Sequence, residues 1–328
     1  MAYANLIAVS CNNPIETFMR FRDFMCKRNG TYDYSTTGVG WTYHDSSYAI
    51  NESTISVNDY FVMYSAGEDG LRDMYYKVQY VSGAINIYGY LYWNNTTHAG
   101  TQQFGINNTW TNTLATNNVM WVYADLDAFI GISKYGTTYY SGMGGWMPDS
   151  PISSAITVAP GAITAGSNVV VNFTSIPGTW AVGTKLFVRD TANIERVTIS
   201  AINGTSVTFS SFAASYAAGC KFQLEMTNYV GGGNAAGNYY LLIDHAGTKN
   251  TIIAPDYIGV AYPSTGDGLS GNYVAKKIYL SSAANWMGPL KNQYQTVSLT
   301  SESTHTDGPT NYRFFNIYSS RFALVKEV

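Results

Sequence analysis

At 328 residues the chain is long enough for two or three domains around a sizeable buried core. Only 12% of residues are charged and the net charge is −3, while 15% are aromatic and 28 are tyrosine; this balance excludes a disordered chain and a basic nucleic-acid footprint. No apolar run reaches the roughly 18–20 residues that span a bilayer, and the opening MAYANLIAVSCNNP lacks the basic start of a signal peptide, so no membrane association and synthesis in a cytoplasm are expected.

With so few charges, the surface must be dressed with hydroxyls and amides, which suits a protein packed into an assembly. Cys11, Cys26 and Cys220 are widely spaced, odd in number and set in apolar surroundings, the pattern of buried free thiols.

In chain order, residues 13–30, NPIETFMRFRDFMCKRNG, form the one convincing helix. Asn13 caps it, Pro14 suits its first position, Glu16 stands three after the cap, and Gly30 supplies the stop. Phe18, Phe21 and Met25 share its broad apolar side, while Glu16, Thr17, Arg20, Asp23 and Lys27 hold the other. Such a helix covers a β-core; the sharper alternative is a docking helix, with Phe18, Phe21 and Met25 meeting a partner subunit.

From Trp41 onward the pattern is that of strands: 60–81 reads strand, turn, strand, 84–94 continues it, and 118–140 adds two or three strands broken at 125–127. No period of 20–50 residues recurs, which disfavours a propeller or solenoid. A Gly/Pro-rich seam at 140–151 opens an island of small β-branched residues that runs to about Glu225. Beyond it, YVGGGNAAGNYY (229–240) brings the aromatics back. The expected organisation is therefore an N-terminal helix plus aromatic-rich β-domain over 1–150 and a small β-barrel module over 151–226. A C-terminal β-segment over 227–328 is expected to pack back on the first part. The fold class is mainly β, with a sandwich- or barrel-like aromatic-rich part, one amphipathic helix and a small central β-barrel.

Within the island, RVTISAINGTSVTFS sets a register problem. A two-residue turn at Asn203-Gly204 would mix polar and apolar residues on one face. A three-residue loop, Ile202-Asn203-Gly204, pairs Ile199 with Val207 and Val197 with Phe209, and so gathers the apolar set, with Gly204 left-handed in a G1 bulge. The charges just before it, Arg189, Asp190, Glu195 and Arg196, flank a turn at Thr191, Ala192 and Asn193 and read as an exposed rim.

Other candidate chemistry is sparse. GEDGLRDM (67–74) places Glu68, Asp69 and Asp73 around Gly70, but the spacing is not that of an EF-hand and Arg72 opposes a cation, so a β-turn is expected. Asp125 and Asp127, two apart on a strand, would share a face about 7 Å apart and could serve as an acid/base pair, though strand-end aspartates are commoner. His44, His98, His245 and His305 are scattered. No catalytic residue, cofactor or metal is expected. In INIYGYLYWNN, alternation aligns Tyr88, Tyr90 and Tyr92 beside Trp93. These four are candidate interface contacts, because tyrosine is favoured where one end is apolar and the other wet, and alternatively candidate glycan contacts.

FVMYSAGEDGLRDMYYKVQY, INIYGYLYWNNTTHAG and DLDAFIGISKYGTTYYSGMGGWMP resemble a type of virion structural protein of tailed bacteriophages. GTWAVGTKLFVRDTANIERVTISAINGTSVTFS with YAAGCKFQLE resembles small β-barrel modules of phage tail, baseplate and decoration proteins. The resemblance spans roughly residues 40–225 and brings no catalytic motif. It implies a structural subunit of the virion and leaves its location in the particle open. With the tyrosine-rich, low-charge composition, the expectation is a homo-oligomer that docks onto other virion proteins, in the tail, baseplate or neck rather than as capsid decoration. The alternative is a receptor- or glycan-binding virion protein that meets a host surface glycan.

Overall fold

The computed structural model describes residues 3–47, 55–68, 70–82, 84–103, 110, 118–146, 156–178, 180–224, 229–234, 238–242, 249–253, 274–280, 286–295, 301–307, 309–317 and 321–327. The chain is mainly β, with curled sheets and a helix around an aromatic-rich core. Among the described residues, no helix is long and apolar enough to cross a membrane.

Strand β1 (Ala4–Cys11) leads into α1 (Pro14–Met25). The N-terminus of α1 is built as its residues dictate. The Asn13 side chain accepts from the Glu16 backbone N–H at 2.9 Å, and Glu16 reaches back to accept from the Asn12 backbone N–H at 2.8 Å. Its end differs from expectation. The helix closes at Cys26, not Gly30, because Lys27 adopts the left-handed conformation (φ 51°). Lys27 then donates to the Phe24 carbonyl and Arg28 to the Asp23 carbonyl, the two bonds of a Schellman motif. Gly30 serves a different need, since a Cβ there would fall 2.6 Å from the Asp23 carboxylate.

Phe18, Phe21 and Met25 are 0% exposed. Phe18 meets Phe61 at 5.2 Å and Phe21 meets Trp110 at 4.8 Å, both edge-on. The surface on which this helix docks therefore belongs to its own chain, which corrects the docking-helix alternative; each such burial is worth about 1.5–3 kcal/mol. The polar side is covered as well. Glu16, Thr17, Arg22 and Asp23 are all buried, with Arg22 and Asp23 paired at 2.6 Å and Tyr32 donating its backbone N–H to Asp23.

Strands β2 (Thr42–Ser46), β3 (Tyr60–Ser65), β4 (Met74–Val81), β5 (Ala84–Asn94) and β6 (Ala99–Gln103) form a five-stranded antiparallel meander. Strands β7 (Asn118–Ala124), β8 (Ala128–Tyr135) and β9 (Thr138–Trp146) form a second meander, with β1 paired to β7. Core residues of both meanders and of α1 merge into one cluster, where Tyr76, Trp41 and Phe129 pack at 5.2–5.7 Å.

Strands β10 (Thr157–Val158), β11 (Gly166–Asn172), β12 (Lys185–Arg189), β13 (Ile194–Asn203), β14 (Ser206–Phe212) and β15 (Lys221–Leu224) form a six-stranded sheet around a separate core of Phe173, Trp180, Phe209 and Phe222. The β13–β14 register differs from both expected forms. Asn203 pairs with Ser206 and Ile202 with Val207 across a Gly204-Thr205 turn, and Ile199 pairs with Phe209. Gly204 is left-handed (φ 59°), as expected, but it stands at the first central position of a two-residue turn. The extra residue is taken up at Ser200, where the register shifts. That bulge brings Ile199 and Val197 onto the buried side with Val207 and Phe209.

Strands β16 (Tyr229–Asn234), β17 (Asn238–Leu242), β18 (Lys249–Ile253), β19 (Val274–Leu280), β20 (Trp286–Gln295), β21 (Thr304–Asp307), β22 (Thr310–Ile317) and β23 (Arg321–Glu327) complete a twelve-stranded sheet with β1 and β7–β9. Strand β16 pairs with β9 from Tyr229 opposite Trp146 to Asn234 opposite Ser141. The six-stranded module is thus inserted between two neighbouring strands of the large sheet. The C-terminal strands return to the first part. Phe315 packs on Trp121 at 5.2 Å, and the Tyr123 hydroxyl donates to Glu327 at 3.2 Å.

Candidate functional site

The described residues converge most clearly on a cleft of about 250 Å³ between the five-stranded sheet and the inserted module. Its floor is a cross-strand aromatic ladder. Tyr64 on β3 lies directly opposite Tyr75 on β4, with ring centroids 4.7 Å apart, and Tyr75 meets Tyr92 of β5 edge-on at 6.3 Å. His44, the bulged residue of β2, extends the ladder by packing on Tyr75 at 5.0 Å. Leu91 closes the base, and the facing wall is Thr191 with the small residues Ala217, Ala218 and Gly219.

The polar corner of the cleft is one carboxylate shared by two cations. Asp73, just before β4, accepts from Arg189 Nε at 2.8 Å, from Lys221 Nζ at 3.1 Å and from the Tyr64 hydroxyl at 3.0 Å. Arg189 is only 1% exposed and also donates to Gln223. Burial, reinforced by Asp73, pushes the Tyr64 and Tyr75 hydroxyls well above their usual pKa, so both stay neutral donors. Burial also pushes the Cys220 thiol up to about 11, which leaves it a poor nucleophile. Cys11, Cys26 and Cys220 are all buried free thiols.

These positions revise the reading of 188–210. Arg189 is not part of a solvated rim; it is the buried fastening between module and sheet. The signal was Phe187, two residues earlier on the same side of β12, which is 0% exposed and packs into the main core cluster. Both sides of β12 are therefore covered. Asp190 accepts from the Ala192, Asn193 and Ala217 backbone N–H groups, and Glu195 accepts from those of Ala213 and Ala214. Both carboxylates hold loops in shape.

Of the four aromatics singled out in β5, only Tyr92 lines the cleft. Tyr88, Tyr90 and Tyr92 are half-buried and alternate with buried neighbours, as the strand period requires. The Lys77 ammonium sits 4.4 Å over the Tyr60 ring and 5.7 Å from that of Tyr88. Tyr90 packs against Trp93 at 5.3 Å, and burial raises its pKa to about 12. Trp93 donates its indole N–H to Asp45 at 2.6 Å; the same carboxylate holds His98 Nδ1 at 2.9 Å.

Asp125 and Asp127 lie in the β7–β8 turn, not on a strand. Asp125 accepts from the Asp127 and Ala128 backbone N–H groups at 2.8 and 2.9 Å, and Asp127 accepts from that of Glu68 at 2.8 Å. Carboxylate oxygens of Glu68, Asp125 and Asp127 come within 4.8 Å of one another, the one such group among the described residues that could hold a metal ion. Arg72 stands beside it: a Cβ on Gly67 would lie 2.5 Å from Arg72 Cγ and 2.9 Å from an Asp127 oxygen. The backbone bonds account for both aspartates as braces of two facing turns. Asp69 and His245 lie outside the described residues.

Tyr64, Tyr75 and Lys221 were not singled out in the sequence, and Asp73 was read only as part of a turn, because these residues come from three separate segments with no shared motif. Similarity to known proteins adds nothing to this geometry: no protein-family model matches the chain, and no curated protein matches it.

Proposed function

We propose that the chain is a non-enzymatic structural subunit of a tailed-phage particle, which forms a homo-oligomer and docks onto other virion proteins, in the tail, baseplate or neck rather than as capsid decoration. The resemblance of residues 40–225 motivates the reading, and the use made of the charges carries it. Asp73, Asp125, Asp127, Asp190 and Glu195, five of the carboxylates at the cleft, the acidic cluster and the inserted module, each hold backbone or side-chain partners within the chain. The inserted module adds exposed apolar points at Val158, Val170 and Val182. Its last strand in sheet order, β11, contains neither charge nor proline, two of the devices that blunt an edge against pairing with another chain. Contacts of this kind persist at high salt, since they do not depend on exposed ion pairs.

Light scattering on the purified full chain tests this. The expected result is an oligomer whose mass is the same at about 0.1 and about 1 M salt, together with detection of the chain in purified particles by mass spectrometry. A monomer at high concentration, absent from particles, overturns the proposal. A receptor- or glycan-binding role on the particle surface is the second reading, and the tyrosine-lined cleft is the observation that favours it.

A further inference from the structure

We infer that the cleft between the Tyr64–Tyr75–Tyr92 ladder and the 217–219 loop is a saccharide site that takes one uncharged pyranose unit of a glycan. The inference rests on the glycan-binding reading and gives it a place and a ligand class. A pyranose ring has a face of C–H groups and a rim of hydroxyls, so it needs an aromatic surface beside a few fixed donors and acceptors. Tyr75 and Tyr92 present half-buried rings, and among the described residues neither hydroxyl has a hydrogen-bond partner. Each is thus an apolar body with a polar end still to be satisfied. The opposite wall bears only methyl groups and a glycine at 217–219, which leaves room over the rings. Thr191, exposed at the mouth, adds a hydroxyl.

Size and charge narrow the ligand. About 250 Å³ is below the roughly 300–1,000 Å³ of sites for drug-sized ligands, and so admits one ring rather than a longer stretch. The four ionisable groups of opposite sign, Asp73 and Asp190 against Arg189 and Lys221, cancel in formal charge. Both cations already share Asp73, so an acidic sugar would have to displace a carboxylate to gain a partner. A neutral ring needs no such exchange. The ladder is held in place before binding: Tyr64 is tied to Asp73, which is tied to Arg189. Little ordering cost is therefore left for the ligand.

The test uses the full chain on a glycan array, followed by saturation-transfer NMR with methyl glucoside, methyl galactoside and methyl glucuronoside. Binding to neutral glycans is expected, with transfer strongest at ring C–H protons and little change with salt. Tyr92→Ala, which removes a ring, and Ala218→Phe, which fills the space from an exposed loop, are each expected to weaken it at least 10-fold. Tyr92→Phe keeps the packing and removes one hydroxyl, so a smaller loss there separates binding from misfolding. Binding that survives both Tyr92→Ala and Ala218→Phe overturns this site but leaves a glycan-binding protein. Preference for the glucuronoside overturns the ligand class. Absence of binding to any glycan by the wild-type chain overturns the glycan-binding reading itself.

Discussion

Single residues carry opposing electrostatic demands in this chain. His44 is half-buried against Tyr64 and Tyr75, and burial lowers its pKa, against the smaller opposing effects of the Trp93 backbone and Asp45. The unfolded state then takes up a proton first, near pH 6.5, so stability is lost as the pH falls below 6.5 through the folded value. Glu16 differs. Burial alone would raise its pKa, but hydrogen bonds from Asn12 and Arg20 outweigh it and hold the carboxyl below 4.5. Its contribution is complete above 4.5 and is lost as the pH falls further. Thermal unfolding against pH should show two acid stages. His44→Gln should flatten the one that begins near 6.5 and Glu16→Gln the one that begins near 4.5; a profile unchanged by both substitutions would contradict this assignment.

At the scale of elements, the ends of helix and hairpin show where local chemistry decides and where it does not. The start of α1 was legible because Asn13, Pro14 and Glu16 act on backbone groups within one turn. Its end was not, because a lysine took the left-handed position while Gly30 was reserved for the space beside Asp23. A left-handed non-glycine residue costs roughly 1–2 kcal/mol, part of which glycine returns as unfolded-state entropy. Lys27→Gly is therefore expected to raise stability by about 0.5–1 kcal/mol, read as a higher melting temperature; a lower one would show that the exposed Lys27 side chain contributes more than its backbone costs. In the β13–β14 hairpin the demand for an apolar face was legible, and so was a left-handed Gly204. The bulge at Ser200 that reconciles the two was not, since several placements of one extra residue satisfy the same alternation.

At the scale of the molecule, Arg189 joins the inserted module to the five-stranded sheet, with Phe187 beside it in the shared core. Arg189→Met would leave Asp73 with Lys221 and Tyr64 but no guanidinium. Asp73 keeps 17% of its side chain exposed, so the loss is expected at the low end for a broken buried pair, about 3 kcal/mol. A lower denaturant midpoint for the full chain checks this; an unchanged midpoint would place the fastening on Phe187 and the remaining Lys221–Asp73 pair.

The sequence by itself determined the strand-rich class, the helix and its cap, the buried thiols, and the change of texture that marks the insert. These follow from periodicity and composition, which act over a few residues at a time. Tertiary structure alone decided that α1 is covered on both sides, that the strands flanking the insert pair with each other, and that Asp73, Arg189, Lys221 and three tyrosines meet in one cleft. Those contacts join separate segments, as far as 148 positions apart for Lys221 and Asp73, and no local pattern encodes which of the chain's few charges will find one another.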